Sequence, residues 1–153
     1  MAVTAVPFGH FPVNLLGGLT GAEVRKVDWL TDVIKLMLTT SAYVPNKDTH
    51  KFKSDVTNEI TGTGYTAGGA TLATKTLTYN ATTDIVTLDA ADVTFTAATL
   101  TARIAVIYDD REVAAADKEL IGYVDFGVDQ SVAGVDFVLS FDVNGILRFT
   151  VIG

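Results

Sequence analysis

Apolar and polar residues alternate over several short stretches of this chain. In residues 33–40, Ile34, Leu36 and Leu38 fall on one side of an extended backbone and Lys35 falls on the other. A period of two, combined with β-branched residues, favours a strand. Similar patterns predict further strands over residues 71–79, 84–90, 100–108 and 120–127.

The stretch LTARIAVIY at 100–108 has the most regular alternation. Its even-numbered residues, from Leu100 to Tyr108, are apolar, and Thr101 and Arg103 begin the opposite side. We therefore expect one buried face and one more polar face along this strand.

The C-terminal residues predict a tight hairpin. Two apolar runs flank Asn144-Gly145, and an Asn-Gly pair suits a two-residue type I′ turn because both residues tolerate positive φ. In that register Phe141 lies opposite Arg148. Neither face of the hairpin would be clearly polar, so we expect both to be covered.

Together these patterns predict a mainly β protein with six to eight strands. The expected fold is a single-domain antiparallel β-sandwich or barrel spanning residues 27–153. A short helix is predicted to begin near Ser54, which can cap it, and to end at Gly62. Residues 1–26 have an irregular pattern and form an extended N-terminal arm, which packs either on its own domain or on a neighbouring subunit.

Composition narrows the classes of partner. The 153 residues include 48% hydrophobic and 19% charged residues, and the net charge is −7. An acidic chain lacks the clustered cations that a phosphate backbone demands, so we expect no nucleic-acid partner. No run approaches the roughly 20 apolar residues of a membrane-spanning helix, so we expect no membrane partner, and the N-terminus does not resemble a secretory signal.

The glycine-rich stretch SDVTNEITGTGYTAGGATLA at 54–73 raises the question of a phosphate site. A dinucleotide fingerprint requires glycines between a strand and a following helix, whereas here a strand pattern follows the glycines. We therefore interpret the stretch as a turn that leads into a sheet, with Tyr65 as its anchor. No cofactor is expected.

No residue set predicts catalysis or metal binding. The chain has no cysteine and only two histidines, His10 and His50, and no motif fixes either one in a triad. A pair of aspartates such as Asp109 could serve acid–base chemistry or hold calcium, but solvated loop ends explain these residues equally well. The DVNG at 142–145 lacks the later ligands of a calcium loop. We expect no enzyme activity.

The residues at 54–73, followed by TARIAVIYDD, LIGYVDFG and the closing NGIL, resemble a group of small tailed-bacteriophage virion proteins. The resemblance spans about residues 27–150, begins with VDWLTDVIKLMLTTSAYVPN, and is weakest in residues 1–26. Members of the group are encoded among head and tail structural genes. The resemblance therefore implies a component of the phage particle and not a catalyst.

Within that class, our first expectation is a capsid decoration (cement) protein that is made in the host cytoplasm and lies on the capsid surface. It would bridge subunits of the major capsid protein as a homotrimer. The alternative is a tail, neck or fibre-base protein that contacts the host surface, and a cytosolic hydrolase using Asp or His is the third interpretation. The candidate contact residues are apolar side chains: Phe8, Phe11, Leu15, Leu16 and Tyr65.

Overall fold

One long antiparallel ribbon organises the fold. The computed structural model describes residues 2–16, 27–111 and 118–152, and it is mainly β, with 52% strand and 5% helix, as the sequence predicted. The ribbon consists of two strands of 17 and 22 residues, whereas strands usually have about five or six. The α-helix and strands are α1 (Phe11–Leu16), β1 (Ala2–Val3), β2 (Val6–Pro7), β3 (Ile34–Thr39), β4 (Ala70–Thr71), β5 (Thr76–Asn80), β6 (Ile85–Asp89), β7 (Val93–Asp109), β8 (Leu120–Phe141) and β9 (Leu147–Thr150).

Two sheets share these strands. The larger has the order β1-β8-β7-β3-β4, and β2 also pairs with β8. The smaller has the order β5-β6-β9. Both contribute to one core, because Leu88 of β6 and Leu147 of β9 pack in the same apolar cluster as Leu36 of β3.

The β7–β8 ribbon bends back on itself. β1 runs parallel to the end of β8, with Ala2 opposite Ser140, whereas β2 runs antiparallel to its start, with Val6 opposite Tyr123. Because no turn separates β1 from β2, the two ends of β8 run in roughly opposite directions. The bend coincides with register shifts along β7–β8 and with positive φ at Ala97, Gly127 and Gly134.

The centre of the larger sheet is buried on both faces. Ile34, Leu36 and Leu38 lie together in the larger apolar cluster, which confirms their predicted common face. Met37, on the opposite face of β3, packs in a second cluster with Phe8. A strand that is covered on both sides has a nearly continuous run of apolar residues, and β3 has such a run.

The prediction of one buried and one more polar face along residues 100–108 is wrong for the second half of the strand, where Ala105 and Ile107 are buried as well. Leu100 and Ala102 belong to the larger cluster, but Ile104, Val106 and Tyr108 belong to the second one. The register with β8 shifts between Ala102 and Ile104. The even-numbered residues stay buried through this shift. They face the larger cluster in the first half of the strand and the second cluster in the other half.

The predicted hairpin at Asn144-Gly145 is also wrong. A turn is present, in which the Gly145 N–H donates to the Asp142 carbonyl at 2.7 Å, but β9 pairs with β6 and not with β8. Gly145 has a φ of 94°, whereas Asn144 has no positive φ, so the turn is not type I′. The chain therefore uses this turn to pass from one sheet to the other.

The helices differ from their predicted positions. The segment after Ser54 forms only a 3-10 helix, Lys53–Asp55, whose Asp55 carboxylate accepts N–H bonds from Lys51 and Phe52. The one described α-helix is α1, in the N-terminal segment. Of the predicted arm, residues 2–16 pack on their own chain through β1 and β2, and residues 17–26 lie outside the described ranges.

The glycine-rich stretch lies across the sheet, as a turn leading into β4. Gly69 has a φ of 77° and sits so close to β3 that an added Cβ would lie 1.9 Å from the Leu36 carbonyl oxygen. Beside it, the Tyr108 hydroxyl donates to the Gly68 carbonyl at 2.8 Å. The glycines therefore provide close backbone approach, and the structure gives them no phosphate-binding arrangement between a strand and a helix.

Replacing Gly69 by alanine should destabilise the fold far more than replacing Gly127. Both have positive φ, and that conformation alone costs a side chain about 1–2 kcal/mol. Nothing lies within 4 Å of a Cβ on Gly127, whereas on Gly69 the methyl overlaps the Leu36 carbonyl, which adds roughly 1–3 kcal/mol. Denaturant unfolding of Gly69→Ala and Gly127→Ala measures the difference, and equal losses would contradict the close approach.

Candidate functional site

The predicted contact residues of the arm are used inside the chain. Phe8 and Phe11 are both 0% exposed, and their rings lie 5.3 Å from Tyr123 and 6.2 Å from Phe149. We therefore correct the expectation that these two side chains contact a neighbouring subunit, because burial in their own core removes them from the surface.

The other two arm candidates belong to α1. Leu15 and Leu16 lie at its C-terminal end, and their side chains are outside the part of the structure that is described. Their proposed role as contact residues stays a prediction.

Tyr65 anchors the glycine-rich turn to its own sheet. Its hydroxyl donates to Glu59 Oε1 at 2.8 Å and accepts the Leu38 N–H at 3.1 Å, and its ring packs against Phe95 at 5.4 Å. Burial raises the pKa of Tyr65 above its usual range. The side chain is thus committed to its own chain and offers little to a neighbour.

The open edge of β8 is the feature best suited to binding. One edge of this strand pairs with β7, and the other pairs with β2 only at Gly122 and Tyr123 and with β1 only at Ser140 and Phe141. Within the described ranges no strand pairs with that second edge from 124 to 139. Backbone donors and acceptors along an open edge are ready to pair with another chain.

Apolar side chains surround this open edge. Val128, Val135 and Val138 are 63%, 56% and 48% exposed, although the other large apolar residues of β8 are buried or partly buried. A groove of about 310 Å³ is formed within β8 and is lined in part by Phe126, Phe137 and Val138. Such a patch beside a free edge is typical of an interaction surface.

The local sequence explains why the edge bends here. Asp125 pairs with Ile104 and Gln130 with Ala102, so four residues of β8, 126–129, lie opposite Arg103 alone. Gly127 within this bulge has a φ of 80°. A bulge of this kind bends a strand and leaves its extra residues unpaired.

The edge is acidic. Residues 124–139 contain Asp125, Asp129 and Asp136 and no lysine or arginine. Arg103 of β7 binds Asp125 with its Nε at 2.5 Å, and this hydrogen bond lowers the pKa of Asp125. With one cation for three carboxylates, the local charge is negative.

A buried ionic cluster lies at the other end of the ribbon, where β7 ends and β8 begins. Arg111 reaches Asp32 at 2.8 Å, Asp109 at 3.1 Å and Glu119 at 3.2 Å. Asp110, beside it, is bound by Lys35 at 2.7 Å. The interpretation of Asp109 as a solvated loop end is therefore wrong, because its side chain is 0% exposed.

Burial dominates the electrostatics of this cluster. It raises the pKa of Asp109 to about 7, even though the neighbouring Arg111 lowers it. The ion pairs to Arg111 join the end of β7 to the start of β8 and to the segment before β3. The cluster thus supports the fold by holding these elements together, and a buried carboxylate without such a partner would be costly.

His50 packs against a tyrosine of its own chain. His50 Nδ1 lies 3.0 Å from the Tyr43 hydroxyl, and the two rings stack at 5.6 Å. Burial raises the pKa of Tyr43. The described residues contain no group of three or more acidic or imidazole side chains suited to a metal ion.

Comparisons with protein-family models, with curated proteins and with solved structures found no match to this chain. In the described ranges, no helix combines the length and the apolar character needed to span a membrane.

Sequence reasoning missed both the open edge and the ionic cluster. The edge follows from the bend, and the only local signals for the bend are Gly127 and Gly134 inside a β pattern, where glycine marks a bulge. The cluster joins Asp32 to Arg111 across 79 residues, and no local pattern reports such a pairing.

Asp109→Asn should flatten the pH dependence of stability. The Asp109 pKa rises from 3.8 to about 7 on folding, so between these values the folded state holds a proton that the unfolded state releases. The free energy of unfolding therefore falls as pH rises, by at most about 1.4 kcal/mol per pH unit. Denaturant unfolding at about pH 5 and about pH 7 measures this slope in both proteins.

The comparison isolates Asp109, because both proteins carry His10 and His50 and share every other carboxylate. A slope that the substitution leaves unchanged would contradict the raised pKa of Asp109.

Proposed function

We propose that this chain is a structural component of a bacteriophage virion, a capsid decoration protein that binds the lattice of the major capsid protein. Two arguments support this proposal: the resemblance of residues 27–150 to small phage virion proteins, and the open edge of β8 with its exposed valines. The open edge of β8 is the structural observation that supports the proposal, because a long unpaired strand edge with apolar side chains suits binding to another protein.

Such binding would stabilise the assembled capsid by mass action. A protein that binds only the assembled lattice stabilises the assembled state in proportion to the logarithm of its concentration over its dissociation constant. The chain needs no chemistry for this role. It needs a rigid surface, and the buried centre of the larger sheet, formed by β3, β7 and β8, supplies one.

The homotrimer expected from the resemblance would use a different surface. The acidic β8 edge repels a second copy of itself, whereas β5, at the edge of the smaller sheet, is exposed along its whole length. Leu77 and Tyr79 of β5 are about half exposed and suit an apolar contact between copies. In this arrangement the trimer leaves the β8 edge free for the capsid protein.

The copy number of the chain in purified virions tests the proposed function. We expect about one trimer per local threefold position, measured by quantitative mass spectrometry against the major capsid protein. A handful of copies would instead place the chain in the neck or tail, which is the alternative structural role. Absence from virions would overturn both.

A variant pair tests whether the β8 edge makes the attachment. Val128→Asp with Val135→Asp should reduce the copies per virion by about tenfold, because two charges enter an apolar contact; tenfold corresponds to about 1.4 kcal/mol. Val143→Asp with Val151→Asp is the matched control, since it also adds two charges at exposed valines, 95% and 50% exposed, that lie outside β8. Both proteins should unfold like the natural chain, and equal copy numbers would exclude the edge.

A further inference from the structure

We infer that the open edge of β8 binds an extended segment of a partner protein, apolar at alternating positions and carrying lysine or arginine, which adds a strand to the larger sheet. The inference rests on the proposed function only in that the chain acts by binding another protein. It adds the chemistry of the partner segment and the residues that receive it.

The backbone of β8 defines the shape of the partner. An unpaired strand edge is satisfied by another extended chain, through main-chain hydrogen bonds along its length. The two ends of this edge already bind such chains, because β2 pairs antiparallel at Tyr123 and β1 pairs parallel at Ser140. No described strand pairs with the stretch between them, which belongs to an edge that accepts strands in both directions.

The side chains define which residues the partner presents. The groove formed by β8 is apolar where Phe126, Val132 and Phe137 line it, and Val138, which is 48% exposed, also lines it. In β-strand addition, main-chain bonds give affinity and pockets for alternate side chains give specificity. Alternating apolar residues therefore fit this groove, because every second side chain of an added strand points to the same face.

The charges distinguish a partner segment from a second copy. Asp125, Asp129 and Asp136 share a single cation, Arg103, so the edge is negative. A second copy would bring a further three aspartates to the same edge, and charges at strand edges disfavour pairing between identical edges. A segment with lysine or arginine complements the aspartates, which favours the right partner and suppresses the wrong one.

Titration of the full chain with a synthetic peptide tests the inference. The probe is a capped nine-residue peptide in which valine and threonine alternate, with lysine at each end. A second peptide has glutamate in place of lysine. Backbone amide signals of the isotope-labelled protein, followed by NMR, report which residues the peptide contacts, and sedimentation without peptide reports self-association.

We expect the lysine peptide to shift the amides of residues 124–139 and the glutamate peptide to bind more weakly. Asp129→Asn should weaken binding of the lysine peptide about two- to fivefold, the size of one exposed charge contact, and higher salt should weaken it further. Asp84→Asn is the matched control, because it removes one aspartate charge at the β5–β6 turn and should have no effect.

Three results would overturn the inference: no shifts at 124–139 at millimolar peptide, equal binding of both peptides, or self-association through this edge without peptide. Its failure is distinct from that of the proposed function. Peptide binding at the edge by a chain absent from virions would refute only the virion role. High copy number in virions with an inert edge would refute only this inference.

Discussion

The fold depends on the bend of the β7–β8 ribbon, because the bend brings both halves of one strand pair around the same core. Phe95 and Leu139 from one half meet Ile107 and Ile121 from the other in a single apolar cluster. The N-terminal segment fixes the bend, since β1 and β2 pair with the two ends of β8. Contacts this distant in sequence carry a high loop-closure cost, which the buried apolar area must offset.

The same bend leaves an edge open. A strand that folds back exposes its outer edge where it turns, and the short strands β1 and β2 cover only its ends. Proteins protect open edges with bulges and charges, and both devices are present here, in residues 126–129 and in the three aspartates. These devices act against pairing between identical copies, and they leave the edge accessible to a segment of opposite charge. The stability of the fold and the proposed binding edge thus have one structural origin.

Much of the fold was predictable, because alternation reports burial locally. It identified β3, β6 and the mainly β class, and Tyr65 serves as the expected anchor of the glycine-rich turn.

Alternation failed where the strands that pair are distant in sequence. Asn144-Gly145 suits a hairpin, but the residues after it pair with β6, and a local turn signal does not determine which strand a chain joins. Phe8 and Phe11 were assigned to an interface because they are aromatic residues of an irregular, apolar arm. An irregular segment can instead fill a core through non-local contacts, as these two residues do. The bend, and with it the candidate site, required the three-dimensional register.

Amide hydrogen exchange on the natural chain, free and in purified virions, shows whether the β8 edge is open in solution and covered in the particle. We expect amides between 124 and 139 whose N–H groups point away from β7 to exchange rapidly in the free chain and to become protected in the particle. The buried centre of the sheet, including Leu36 and Ile107, should be protected in both states. Strong protection along 124–139 in the free monomer, or unchanged exchange there in the particle, would contradict this expectation.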